Sequence, residues 1–178
     1  MKKVFLGLMA VVMSVGVFAA CSSKTQVLKD AVEKAKKDIG IPKTENGVTI
    51  ADILYDEATN TVDYVCELPV EFFQQMQATV AAQNNYKDIF IYSKKDDPSL
   101  KALAELLLDV KGNLKFTYKS EGGDAPIELS YDANVLQKLV NGTLPEAQLQ
   151  PVQEQTYEAS EGAQGEDAEA SEAVDGEE

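Results

Sequence analysis

Apolar and polar positions along this chain recur at two different periods, and the changes of period divide it into elements. Val27, Leu28, Ala31, Val32 and Ala35 fall at helical spacing among Lys29, Lys34, Lys36 and Lys37, which predicts an amphipathic helix. Ser23 with Gln26 three residues on has the form of a capping box, and Gly40 and Pro42 stop the helix. The period then changes to two. Val48 to Tyr55 and Thr61 to Leu68 flank the turn Asp56–Asn60, and in the second run Val62, Tyr64, Cys66 and Leu68 alternate with Thr61, Asp63 and Glu67. A hairpin with one buried face is expected. Pro69 at a first helical position and Glu71 in the first turn open a helix with Phe72, Phe73, Met76 and Val80 facing inward.

Residues 86–95 are ambiguous, because Ile89-Phe90-Ile91-Tyr92 has strand propensity while both flanks are helical; helix is the preferred reading. Asp97 as N-cap, Pro98 at N1, the row Leu100, Leu103, Ala104, Leu107 and Leu108, and the close at Lys111-Gly112 define a helix signed at both ends. A second hairpin follows: Leu114, Phe116 and Tyr118, the Gly122-Gly123 turn, then Ile127, Leu129 and Tyr131. Asp132 caps a last helix carrying Val135, Leu136, Leu139 and Val140, which Asn141-Gly142 ends.

A shift of 63 residues lays the second strand-strand-helix unit on the first without a gap, for example Ile53 on Phe116, Cys66 on Leu129 and Met76 on Leu139. The predicted class is therefore α+β. An N-terminal helix precedes two such units, whose hairpins form a four-stranded antiparallel sheet with the helices on one face and 84–111 as an insertion between repeats.

Before the first helix lies the only long uncharged run, Val4 to Ala20, preceded by Lys2 and Lys3 and followed directly by Cys21. This is the layout of a secretory signal with a small-residue cleavage site. Val17, Phe18, Ala19, Ala20 and Cys21 resemble the lipobox of bacterial lipoprotein precursors, with Phe18 where that family prefers leucine. The resemblance implies removal of residues 1–20, diacylation of the Cys21 thiol and attachment to membrane lipid by two or three chains, since one chain binds only marginally. An uncleaved transmembrane helix is the alternative, and the run is short for one. Ser22 after the cysteine lacks the aspartate that retains lipoproteins in the inner membrane in one sorting scheme. The resemblance thus implies a cell-envelope address, at the outer membrane where the source has two. Residues 21–26 are expected to form a lipidated tether, 27–145 a single domain, and 146–178 a disordered acidic tail.

Composition removes many functions. The chain has 178 residues, with 16 basic and 30 acidic side chains, and no arginine, histidine or tryptophan. Without histidine there is no Ser-His or Cys-His nucleophile and no ordinary zinc site; without arginine there is no bidentate phosphate clamp, and a net charge of −14 repels nucleic acid. From Pro151 onward there are ten acids and no lysine, so apolar burial cannot offset chain entropy there. Cys66 has no partner for a disulfide once Cys21 carries lipid.

The remaining candidates for chemistry each have a simpler explanation. Cys66 lies on the inward face of its strand and reads as a small buried hydrophobe. Ser93-Lys94 is a poor dyad, because adjacent residues point apart on either a helix or a strand. Asp56-Glu57 and Asp96-Asp97 lack the ligand spacing of a calcium loop and suit turns and caps. Tyr55, Tyr64, Tyr118 and Tyr131 could form an aromatic platform but more simply pack across strands. The lysines of the first helix could lie on anionic lipid, yet Asp30, Glu33 and Asp38 dilute their charge. No catalytic residue, metal site or cofactor is expected. A non-catalytic binding module with an envelope protein or glycan as partner is preferred over the alternative, an envelope hydrolase using carboxylates.

Overall fold

The computed structural model describes residues 23–147; Cys21, the run before it and all but the first two residues of the acidic tail lie outside the described residues. Five helices and five strands follow in the order α1 (Lys24–Ile39), β1 (Lys43–Glu45), β2 (Val48–Asp56), β3 (Thr61–Leu68), α2 (Val70–Ala82), α3 (Tyr86–Ser93), α4 (Pro98–Asp109), β4 (Asn113–Ser120), β5 (Ile127–Tyr131) and α5 (Ala133–Val140). The cap chemistry sets most of these boundaries. Ser23, Asp97 and Asp132 each accept backbone N–H groups of the following turn through their side-chain oxygens. Gly40 closes α1 in the left-handed region at φ 71°. Pro69 stands one residue outside α2 as its N-cap rather than inside it. Residues 86–93 are helical, so the β propensity of Ile89–Tyr92 yields to its helical context.

The sheet corrects the expected architecture in three respects. It has five strands in the order β1-β2-β3-β4-β5. The added strand β1 is joined to β2 by Asn46-Gly47, both at positive φ, a two-residue hairpin turn of the kind those residues favour. Next, β3 and β4 are parallel, from Thr61 beside Asn113 to Leu68 beside Ser120, while the other pairs are antiparallel. Parallel neighbours need a crossover of a dozen or more residues. The stretch expected to be an insertion, together with α2, supplies it: α2, α3 and α4 carry the chain back to the end where β3 began.

The third correction concerns the repeat. Because β3 and β4 run the same way, β2 flanks β3 on one side and β5 flanks β4 on the other. With the helix-bearing face toward the viewer and each first strand pointing up, the second strand lies to opposite sides in the two units. They are of opposite hand, so no rotation superimposes them. The 63-residue correspondence is a likeness of pattern and loop length only. A bulge between Ile50 and Asp52 adds a further departure, placing Ile50 and Ile53 both inward where Ala51 was expected.

One face of the sheet carries the core. Ile50, Ile53, Val62, Tyr64, Cys66, Leu68, Leu114, Phe116, Tyr118, Leu129 and Tyr131 form one cluster with Leu28 and Val32 of α1, Phe73 and Met76 of α2, Ile91 of α3, Leu103 and Leu107 of α4, and Leu136 and Leu139 of α5. Phe90 stands over its centre, edge-on to Phe116 at 5.1 Å between ring centroids and stacked on Tyr131 at 6.5 Å; such pairs add to simple burial. The opposite face is mostly polar, with Leu54 and Val65 among its charged and hydroxyl side chains, close to the ordinary division for a sheet covered on one side.

Candidate functional site

The residues singled out for chemistry are scattered through the fold, and all but the exposed Asp96 are engaged in it. Cys66 is fully buried between strand neighbours, and burial pushes its thiol up to about 12. Such a thiol is almost wholly protonated at neutral pH and a poor nucleophile. Ser93 donates its hydroxyl to the Phe90 carbonyl at 2.6 Å, closing the end of α3. Lys94 is buried to 6% exposure with its ammonium 5.9 Å from the Phe90 ring centre. Burial pulls its pKa down against the opposing charge of Asp97. Neither side chain makes the other a nucleophile.

The acidic pairs divide in the same way. Asp97 caps α4, accepting from Ser99 and Leu100 N–H at 2.9 and 3.1 Å. Asp56 accepts from the Ala58 N–H at 2.9 Å and from the Thr59 hydroxyl at 2.7 Å, bonds that hold its carboxyl below the usual range. Tyr64, Tyr118 and Tyr131 are buried in the core, and Tyr131 donates to the Lys87 carbonyl at 3.0 Å. Tyr55 is half-buried and donates to Asn60 Oδ1 at 2.8 Å. The four tyrosines therefore form no exposed platform.

The opposite face of the sheet carries a cluster that the sequence pattern does not announce. Thr117 donates to both carboxylate oxygens of Asp63 at 2.9 Å, and Lys115 lies 3.6 Å from Asp63 and 2.6 Å from Glu128. The two carboxylates share one ammonium. A general acid–base pair instead requires two environments that push its members apart, so this cluster reads as cross-strand pairing. The antiparallel register that brings Lys115 near Glu128 was the available signal; the parallel register that brings Asp63 near Lys115 was not readable.

The described residues begin at one end of the domain, where α1 starts. Lys24 pairs with Asp109 at 2.8 Å, Lys29 with Glu57, and Lys36 with Asp52 at 3.0 Å. These three pairs and the burial of Leu28, Val32 and Ala35 fix α1 against β2 and α4. Of the helix lysines expected either to lie on lipid or to face solvent, Lys29 and Lys36 are bound to the domain's own acids. At the same end the β2–β3 turn is joined to the α4–β4 junction through Asn60. Its Nδ2 donates to the Val110 carbonyl at 3.1 Å, and its own carbonyl accepts from the Asn113 N–H at 3.1 Å. Gly112 fits because it has no side chain: an added Cβ would lie 2.2 Å from that Asn60 carbonyl oxygen. No helix among the described residues is long and apolar enough to cross a membrane.

No protein-family profile and no curated protein sequence matches the chain. Among solved structures it is similar to a protein from Pseudomonas aeruginosa assigned as secreted, at 15% identity over 66% of this chain and 99% of that one, with a TM-score of 0.46. It is also similar to the pilotin EpsS of the Vibrio vulnificus type 2 secretion system, at 13% identity over 64% and 96%, with a TM-score of 0.40. Both likenesses are too remote to transfer a site or an activity.

Proposed function

We propose that this is a lipid-anchored protein of the bacterial cell envelope whose domain holds a partner rather than catalysing a reaction. One observation supports the second half: the side chains singled out for covalent or acid–base chemistry are for the most part engaged in the fold. The Cys66 thiol is buried, Ser93 closes a helix, Asp97 and Asp132 cap helices, and Asp56 orders a turn. The first half rests on the run ending Val17-Phe18-Ala19-Ala20-Cys21, with Cys21 as the lipidated residue and Ser22 favouring the outer membrane. The partner class is an envelope protein or glycan, and the acidic net charge disfavours nucleic acid.

An alkyne-bearing fatty acid fed to the producing cells should label the wild-type chain and not Cys21→Ala. Labelling that persists in Cys21→Ala would remove the anchor. A panel of envelope glycans and peptides screened by thermal shift tests the second half, since a non-reacting ligand stabilises a binding module. Turnover of any panel member by the purified domain would show an enzyme instead.

A further inference from the structure

We infer that the domain stands on the membrane with the α1-start, β2–β3-turn and α4–β4 end against the lipid headgroups, and presents the opposite end to partners. This deepens the anchor reading and rests on Cys21 carrying lipid. Ser23 is the N-cap of α1, its hydroxyl accepting from the Gln26 N–H at 3.2 Å. The helix therefore begins at Lys24, and the tether expected to run to Gln26 is reduced to Cys21, Ser22 and Ser23. Two peptide units separate the Cα atoms of Cys21 and Ser23, a reach of at most about 7 Å. A lipidated Cys21 sits at headgroup depth, so the first turn of α1 cannot leave that layer by more than this reach.

The first turn is not free to swivel away from the domain. Lys29 pairs with Glu57 just past the end of β2 and Lys36 with Asp52 within it, so α1 runs antiparallel to β2; buried Leu28 and the Lys24–Asp109 pair hold the helix start against the end of α4. What touches the membrane beside the anchor is then set by the fold: the Asp56–Asn60 turn and the Val110–Gly112 junction zipped to it by Asn60. Lys24, Lys29 and Lys111 stand there among Asp56, Glu57, Asp109 and Asp132. That mixture, with two of the lysines already paired, suits a zwitterionic headgroup surface and carries little net repulsion from it. The sixteen residues of α1 place its far end, with Gly40, the Asn46-Gly47 turn and the 121–126 loop, roughly 24 Å away at 1.5 Å per residue.

The test uses the full lipidated chain in phosphatidylcholine vesicles and a membrane-impermeant maleimide. The reporters are Ala58→Cys at the inferred membrane end and Ala125→Cys at the other, both exposed positions; the native Cys66 is buried. Outward-facing Ala58→Cys should react several-fold more slowly than Ala125→Cys. Insertion of a flexible Gly/Ser linker of about ten residues between Ser22 and Ser23, with a mean span of roughly 18 Å, should bring the two rates together while leaving lipid and melting temperature unchanged. Equal rates without the linker, in protein whose mass shows lipid on Cys21, would overturn the orientation and leave the anchor standing. A mass showing no lipid on Cys21 would overturn both.

Discussion

Asn60 and Gly112 show how much of this fold hangs on two side chains, one of which is a hydrogen atom. Asn60 holds a left-handed backbone at φ 51° and bonds Tyr55 and Val110 through its amide. Asn60→Gly keeps the backbone conformation but loses both side-chain bonds, and should cost about 1–3 kcal/mol. Gly112→Ala keeps every hydrogen-bonding group but drives a methyl into the Asn60 carbonyl, an overpacking cost of about 3 kcal/mol. Urea titrations of the two variants check both figures, and Gly112→Ala with wild-type stability would show that the junction yields freely. Cys66 belongs to the same scale. Because burial holds its thiol up to about 12, native protein at neutral pH should react with a thiol reagent only at the rate of unfolding. Rapid labelling would mean that β3 opens locally.

The elements differ in how plainly the sequence announced them, and the reason is local against non-local chemistry. Caps act within four residues, so Ser23, Asp97, Asp132, Gly40 and Gly142 could all be read in advance. Asp97→Ala and Asp132→Ala should each cost about 1 kcal/mol, measured by chemical denaturation. The strand β1 was equally legible, since Asn46-Gly47 is a strong hairpin signal, but Lys43–Glu45 is short and wholly exposed and has no alternation to draw attention. The parallel pairing of β3 with β4 lies at the other extreme. Alternation puts Tyr64 and Phe116 on a buried face and says nothing of which strand edge meets which, or in which direction. The same limit hid the Asn60 bridge, whose partner is fifty residues away, and the Asp63–Thr117–Lys115 cluster. The lipobox-like run ending at Cys21, a wholly local signal, lies outside the described residues, and the anchor it points to stands as a proposal.

At the scale of the whole molecule, charge and burial set the limits of stability. Burial raises the pKa values of Tyr64, Tyr118 and Tyr131 above 10 and that of Cys66 above 9. A group whose folded pKa is raised contributes stability that is complete below its unfolded pKa and is lost as pH climbs toward the folded value. At about pH 11 each such tyrosine, ionising near 10 when unfolded, withdraws about 1.4 kcal/mol. The domain should therefore unfold cooperatively between about pH 10 and 12, with tyrosinate absorbance rising in the same step. Tyrosine ionisation well before the loss of circular dichroism would contradict the burial. Truncation after Gln150 should shift the melting temperature by less than about 5 °C, the scale of 1 kcal/mol in a domain this size; a larger drop would mean that the tail packs on the domain.

The parallel pairing at the centre of the sheet also fixes a timetable. Every β3 residue meets a β4 partner 52 positions later, as Thr61 meets Asn113 and Leu68 meets Ser120. The β2–β3 hairpin can close as soon as it is made, but its inner edge stays open until three helices and the next strand have followed. Contacts of such long separation are slow to form because the intervening loop must be ordered first. For that interval an unpaired, apolar strand edge bearing Val62, Tyr64 and Cys66 is open to other chains. A chain stalled between residues 82 and 113 would be the form of this protein most prone to aggregate.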